Sequence, residues 1–120
     1  MESIASQDTA LTCPPKPKLY VLVRADLSLG QQMAQAAHAG IELQRNHNTP
    51  ETIVILNVRD MAKLQKYFDL APSPAHMFWE PDYSEFTAFA CVSTGEIFAG
   101  LKLAGKESKA KRLWRKISGR

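Results

Sequence analysis

Two short apolar runs, Leu19-Tyr20-Val21-Leu22-Val23 and Thr52-Ile53-Val54-Ile55-Leu56, constrain the fold more than any other feature of the chain. Both are nearly continuous and rich in β-branched residues, the pattern of a strand covered on both faces. Between them runs one long helical pattern, from Leu29 to about Arg45, opened by Ser28 with Gln31 three residues on, the spacing of a capping box. Strand, helix, strand is a crossover unit, which joins parallel strands and is nearly always right-handed. Asp60 caps a second helix from Met61 to about Leu70, before Pro72 and Pro74 stop it. Ala75-His76-Met77-Phe78-Trp79 and Phe86-Thr87-Ala88-Phe89-Ala90-Cys91-Val92 read as two further strands. The loop between them, Glu80 to Glu85, is short enough for an antiparallel pair. The expected fold is α/β: a single domain with a four-stranded mixed β-sheet flanked by helices, in the order β-α-β-α-β-β. Residues 93 to 105, with Gly95, Gly100 and Gly105, fit a short strand and a docked coil equally well.

A chain of 120 residues supports one core, burying roughly two thirds of its unfolded surface. Hydrophobic content of 45% and charged content of 22% argue against disorder and against a disulfide scaffold. No apolar run approaches the roughly 20 residues of a membrane span. The start MESIASQDTA has neither a basic nor an apolar leader segment, so the expected location is the cytoplasm, with no membrane partner. Cys13 and Cys91 have no CxxC spacing and no plausible His partner nearby in sequence, so neither is expected to be a metal ligand.

Residues 1–17 end in Pro14-Pro15-Lys16-Pro17 and read as a flexible N-terminal segment, residues 18–105 as the domain, and residues 106–120 as a basic C-terminal tail. The tail, KESKAKRLWRKISGR, holds seven Lys and Arg against one acid, Glu107, a local balance of 7 − 1 = +6. Such a balance suits a polyanion, because each neutralised phosphate releases counterions. Lys109, Lys111, Arg112, Arg115 and Lys116 are the candidate RNA contacts, on a helix from about Glu107 to Ile117, and a merely solvated end fits as well.

On the first helix Gln31, Gln35, His38, Glu42 and Arg45 fall on one polar stripe. Leu29, Met33, Ala36, Ala37, Gly40 and Ile41 form the side expected to face the sheet. A histidine on a rigid helix, among amides where Glu and Lys are usual, is a candidate catalytic group, although a solvated polar face produces such a stripe too. Asp82, in the loop leaving the third strand, is the candidate carboxylate, and ordinary turn chemistry also accounts for it. Thr87 and Glu85 have weaker claims, His47 and His76 read as incidental, and Trp79 and Trp114 as packing residues.

Val21-Leu22-Val23-Arg24-Ala25-Asp26-Leu27, then Gly30, then Ala34-Gln35-Ala36-Ala37-His38-Ala39, resembles the amino-terminal signature of the class II peptidyl-tRNA hydrolases. Glu80-Pro81-Asp82 with Phe86-Thr87-Ala88 looks like the second block of a shorter branch of that family. The resemblance spans about residues 18 to 104. It implies a four-stranded mixed sheet with helices, frequent homodimers, and a cofactor-free activity in translation. That activity is hydrolysis of the ester joining a peptide to the 3′ ribose of tRNA. Carried over by position, His38 is the family's helix histidine and Asp82 its aspartate. In that chemistry an imidazole takes the proton of an attacking water and a carboxylate stabilises the imidazolium.

Gln35 and Gln31 on the polar stripe, Arg24 and Thr87 complete the expected substrate-binding set, with tRNA, and the ribosome, as partners. Gln31-Gln32-Met33 stands where most members carry lysine after the glycine, and Tyr83-Ser84-Glu85-Phe86 replaces a Gly-Arg-Thr turn. Arg24 and the tail are the cations left to compensate. The departures keep open a non-catalytic RNA- or ribosome-binding module, a different hydrolase, or a protein-interaction domain on the same scaffold.

Overall fold

The computed structural model describes residues 15–105. Strand β1 (Lys18–Arg24) is followed by helix α1 (Leu29–Asn46), strand β2 (Ile53–Val58), helix α2 (Met61–Leu70), and strands β3 (Ala75–Glu80) and β4 (Glu85–Ser93). They form one mixed sheet of order β2-β1-β4-β3, with β1 parallel to β2 and β4 antiparallel to both of its neighbours. The expected fold class and element order hold. Residues 94–105 resolve as a single 3₁₀ turn, Glu96–Phe98, and an isolated bridge from Leu103 to Leu56. No helix of the described residues is long and apolar enough to cross a membrane. The tail helix and the extended lead-in before Pro15 lie outside the described residues.

Local chemistry sets both helix starts. The Ser28 hydroxyl accepts the Gln31 backbone N–H at 3.3 Å while the Gln31 side chain accepts the Ser28 N–H at 3.0 Å, closing the expected capping box. Asp60 accepts the Lys63 N–H at 3.0 Å. The sheet then divides the core in two. On one face α1 packs Ala36, Ala39 and Leu43 over Val21, Val23, Ala88 and Ala90; on the other, α2 and the 3₁₀ turn pack Leu64 and Phe98 over Leu22, Leu56, Phe89 and Cys91. Alanines on helix and strand together let α1 lie close to β4. Burial pushes the Cys91 thiol up to about 12, so it is a packing residue and not a nucleophile.

Three expectations about burial are corrected. The sheet-facing side of α1 is Gln32, Gln35, Ala36, Ala39, Gly40 and Leu43, while Leu29, Met33, Ala37 and Ile41 are exposed. The helix is rotated because its two inward glutamines find hydrogen-bond partners on the sheet. Nor is β2 covered on both faces: it is an edge strand whose Ile53 and Ile55 are exposed on the α1 side. Trp79 is likewise no core residue, being 48% exposed and edge-on to Phe86.

Gly40 makes no use of its conformational freedom. A Cβ there would meet only Val21 Cγ2, at an ordinary 3.9 Å. Gly40→Ala is therefore expected to raise stability by roughly 0.5–1 kcal/mol, read as a higher Tm in a thermal melt.

Candidate functional site

The polar residues gather at the end of the sheet where β3 stops and β4 begins. Gln35 is 3% exposed, Thr87 0% and Glu80 8%, and the three form a chain. The Thr87 hydroxyl donates to Gln35 Oε1 at 2.6 Å, and Gln35 Nε2 donates to Glu80 Oε1 at 2.9 Å. The Asp82 backbone N–H then donates to Glu80 Oε2 at 3.0 Å. Both carboxylate oxygens are thus fixed. An amide is the side chain that accepts and donates at once, which explains glutamine rather than a charge at position 35.

A backbone irregularity makes the chain possible. Between Phe78 and Trp79 the β3–β4 register shifts, so that Phe78 pairs with Ala88 but Trp79 with Phe86. Strict alternation from Ala88 and Ala90, which face α1, would turn Thr87 to the α2 side. The bulge gives β4 an extra residue and brings Thr87 round to Gln35, a re-aiming that bulges commonly perform.

His38 lies one turn beyond Gln35, exposed, with its ring stacked on Phe78 at a centroid distance of 5.0 Å and an interplanar angle of 9°. Donors from Gln35 and then from the Asp82 N–H hold the Glu80 carboxyl below its usual range against desolvation, with the charge of His38 adding to the effect. The acid whose carboxylate is fixed is therefore Glu80, although among the described residues no hydrogen bond or ion pair joins it to His38. Asp82 is exposed; its backbone braces Glu80, and among the described residues no hydrogen bond or ion pair joins its carboxylate to His38. Sequence reasoning missed Glu80 by treating it as the first loop residue. The one local trace is Gln35 itself, which needs a polar partner from the strands once the helix turns it to the sheet, and that turn is not visible in the apolar pattern.

The other expected substrate contacts occupy structural positions. Gln31 closes the capping box, and Thr87 and Gln35 are too buried to touch a substrate. Arg24 is buried, with its guanidinium bonded to both oxygens of Asp26, to Glu85 Oε1 at 3.0 Å and to the Phe86 carbonyl. These partners, Asp26 foremost, raise the Arg24 pKa, and Arg24 holds Asp26 below its ordinary value. Its charge neutralises the two acids instead of standing free for a phosphate. Gln32, the remaining amide, donates to the Leu27 carbonyl at 2.8 Å and accepts from Asn57 Nδ2 at 2.8 Å, tying the β1–α1 loop to β2. His76 lies 3.7 Å from Glu42, and His47 caps the end of α1. No cluster of His, Cys, Asp and Glu suited to a metal ion occurs among the described residues. The tail lysines and arginines, with Trp114, lie outside the described residues.

No protein-family model matches the chain, and no curated protein matches it either.

Proposed function

We propose that the protein is a cytoplasmic hydrolase of tRNA 3′ esters, of the peptidyl-tRNA hydrolase type that its two sequence blocks resemble. One observation carries the reading: a solvent-facing imidazole, held flat on Phe78, one helical turn from the glutamine that fixes a carboxylate whose two oxygens are both hydrogen-bonded. An ester hydrolase without a covalent intermediate needs a base open to water and a negative charge that favours its protonated form. His38 supplies the base. It takes a proton as water adds to the ester carbonyl and returns it to the departing ribose oxygen, so the proton count closes over one turnover. Glu80, its carboxyl held below the usual range by the Gln35 and Asp82 donors, stabilises the imidazolium between these steps. Gln35 and Thr87 act as positioning residues through Glu80, and the Asp82 carboxylate is free to meet substrate at the mouth of the site. The tail supplies phosphate contacts that Arg24, already paired, does not.

The test is release of N-acetylated amino acid from N-blocked aminoacyl-tRNA by the full chain in buffer containing a chelator. Multiple turnovers are expected. A folded protein that releases no more than the buffer control would overturn the proposal.

A further inference from the structure

Adjacent parallel strands whose following helices lie on opposite faces leave a crevice beyond their carboxyl ends, and in open α/β sheets ligands bind there. β1 and β2 are such a pair. They end level, with Arg24 opposite Val58, and the chain leaves β1 for α1 on one face but β2 for α2 on the other. On the α2 side of this crevice lies a hollow of about 180 Å³, lined by Asn57, Val58, Arg59, Lys63, Tyr67 and Leu101.

Cations gather around it. Arg59, Lys63, Lys66 and Lys102 are four of the eight Lys and Arg in residues 15–105. Arg59 and Lys63 line the hollow, and Lys66 holds its Nζ 5.8 Å from the centre of the Tyr67 ring. Lys102, exposed, is fixed beside the end of β2 by the Asn57 N–H, which donates to its carbonyl at 2.9 Å. Among the described residues no carboxylate pairs with Lys63, Lys66 or Lys102. Asp60, the acid next to Arg59, is committed to the helix cap: it accepts the Lys63 N–H at 3.0 Å and Arg59 Nε at 3.4 Å. The remaining cations are placed differently. Arg24 and Arg45 are paired with acids, and Lys16 and Lys18 stand at the start of β1, the opposite end of the sheet. Val58, Tyr67 and Leu101 give the hollow apolar walls, which focus the field of the cations on an anion that enters.

The geometry points to this hollow as a phosphate site, in which Arg59 and Lys63 hold one phosphodiester of a single-stranded RNA and Lys66 and Lys102 flank it. A volume of about 180 Å³ is smaller than the roughly 300–1,000 Å³ of sites that enclose a whole small molecule, so the phosphate belongs to a strand that continues outside. Along the order β2-β1-β4-β3, Glu80 ends β3 at this same end of the sheet, three strand spacings from β2, or roughly 14 Å. A stacked strand rises about 3.4 Å per nucleotide, so about four nucleotides join the hollow to the candidate site. The choice of RNA and that path rest on the hydrolase reading, whereas the phosphate site rests on charge and topology.

The test measures binding without turnover, so the site and the hydrolase reading fail separately. A short single-stranded RNA labelled with fluorescein is titrated with the full chain and followed by anisotropy. Arg59→Gln with Lys63→Gln is expected to weaken binding about tenfold, whatever the RNA sequence, and to lower the slope of log K against log salt by about 0.7, the contribution of one phosphate. Lys16→Gln with Lys18→Gln removes the same charge at the far end and should leave both quantities near the parent's. Circular dichroism checks the fold of each variant. In the parent, the amide resonances of Arg59, Lys63 and Tyr67 should shift when the RNA is added, a measurement that needs no variant. Equal losses in the two double variants would reduce the effect to net charge and overturn the site. Unchanged binding in the Arg59 and Lys63 variant would do so too, leaving the RNA to other cations. Inorganic phosphate that moves those amides when the RNA does not would assign the hollow to a small free anion and overturn the strand.

Discussion

His38→Ala is expected to lower kcat for tRNA-ester hydrolysis by at least about 100-fold, the usual scale for losing a positioned general base. KM for the N-blocked aminoacyl-tRNA should stay nearly constant, since the ring contributes to the transition state and not to binding of the RNA. The fold should tolerate the change. His38 is exposed and its one ring contact is Phe78, so the lost stacking costs about 0.5–1.5 kcal/mol. His76→Ala is the matched control. It removes a second imidazole from the same side of the sheet, one whose neighbour is Glu42 at 3.7 Å, and should leave kcat intact. Parent and His38→Ala proteins with equal rates would remove His38 from the chemistry, and a rise in KM alone would reassign it to binding.

The scaffold was legible because its signals are local. Continuous β-branched runs, a capping box at Ser28 and Gln31, an aspartate cap at Asp60 and two prolines after Leu70 each act within a few residues, and each appears where the pattern put it. The rotation of α1 was not legible. A count of apolar positions favours Leu29, Met33 and Ile41 as the buried side, whereas the helix buries Gln32 and Gln35. Those amides pair with Asn57, Thr87 and Glu80, residues 25, 52 and 45 positions away. Hydrophobic periodicity cannot register partners so distant. The same blindness directed attention to Asp82 by position and away from Glu80, whose role depends on a register shift in β3–β4 that no residue announces. Arg24 shows the converse error. A lone arginine at a strand end reads as a free cation, but Asp26 two residues on and Glu85 across the sheet claim it.

Gln35→Glu should reverse the pH dependence of stability, and it tests the relay more sharply than removal would. In the parent, Glu80 has a depressed pKa, with the Gln35 amide as the first cause and the Asp82 N–H second. The stability it contributes is fully present above its unfolded value and is lost as pH falls through the lower folded one. Between pH 5 and 8 the carboxylate is ionised in the folded chain and largely so in the unfolded one, so Glu80 contributes little slope there. Replacing the donating amide by a second carboxylate sets two acids against each other where 2.9 Å separated donor from acceptor. Two buried carboxylates at such a distance share one proton, and the pair titrates with one value strongly raised. The sign then inverts. The variant is most stable below the ordinary carboxylate range and loses stability as pH rises towards the raised folded value, by at most about 1.4 kcal/mol per pH unit. Urea midpoints at pH 5 and pH 8 should diverge for Gln35→Glu and coincide for the parent, apart from groups common to both. Gln35→Leu separates charge from hydrogen bonding: it leaves Thr87 and Glu80 without their shared partner, so it should cost about 1–3 kcal/mol with no added slope over that range. A Gln35→Glu profile as flat as that of Gln35→Leu would mean that the side chain at position 35 turns away from Glu80, and the fixed carboxylate on which His38 depends would be lost with it.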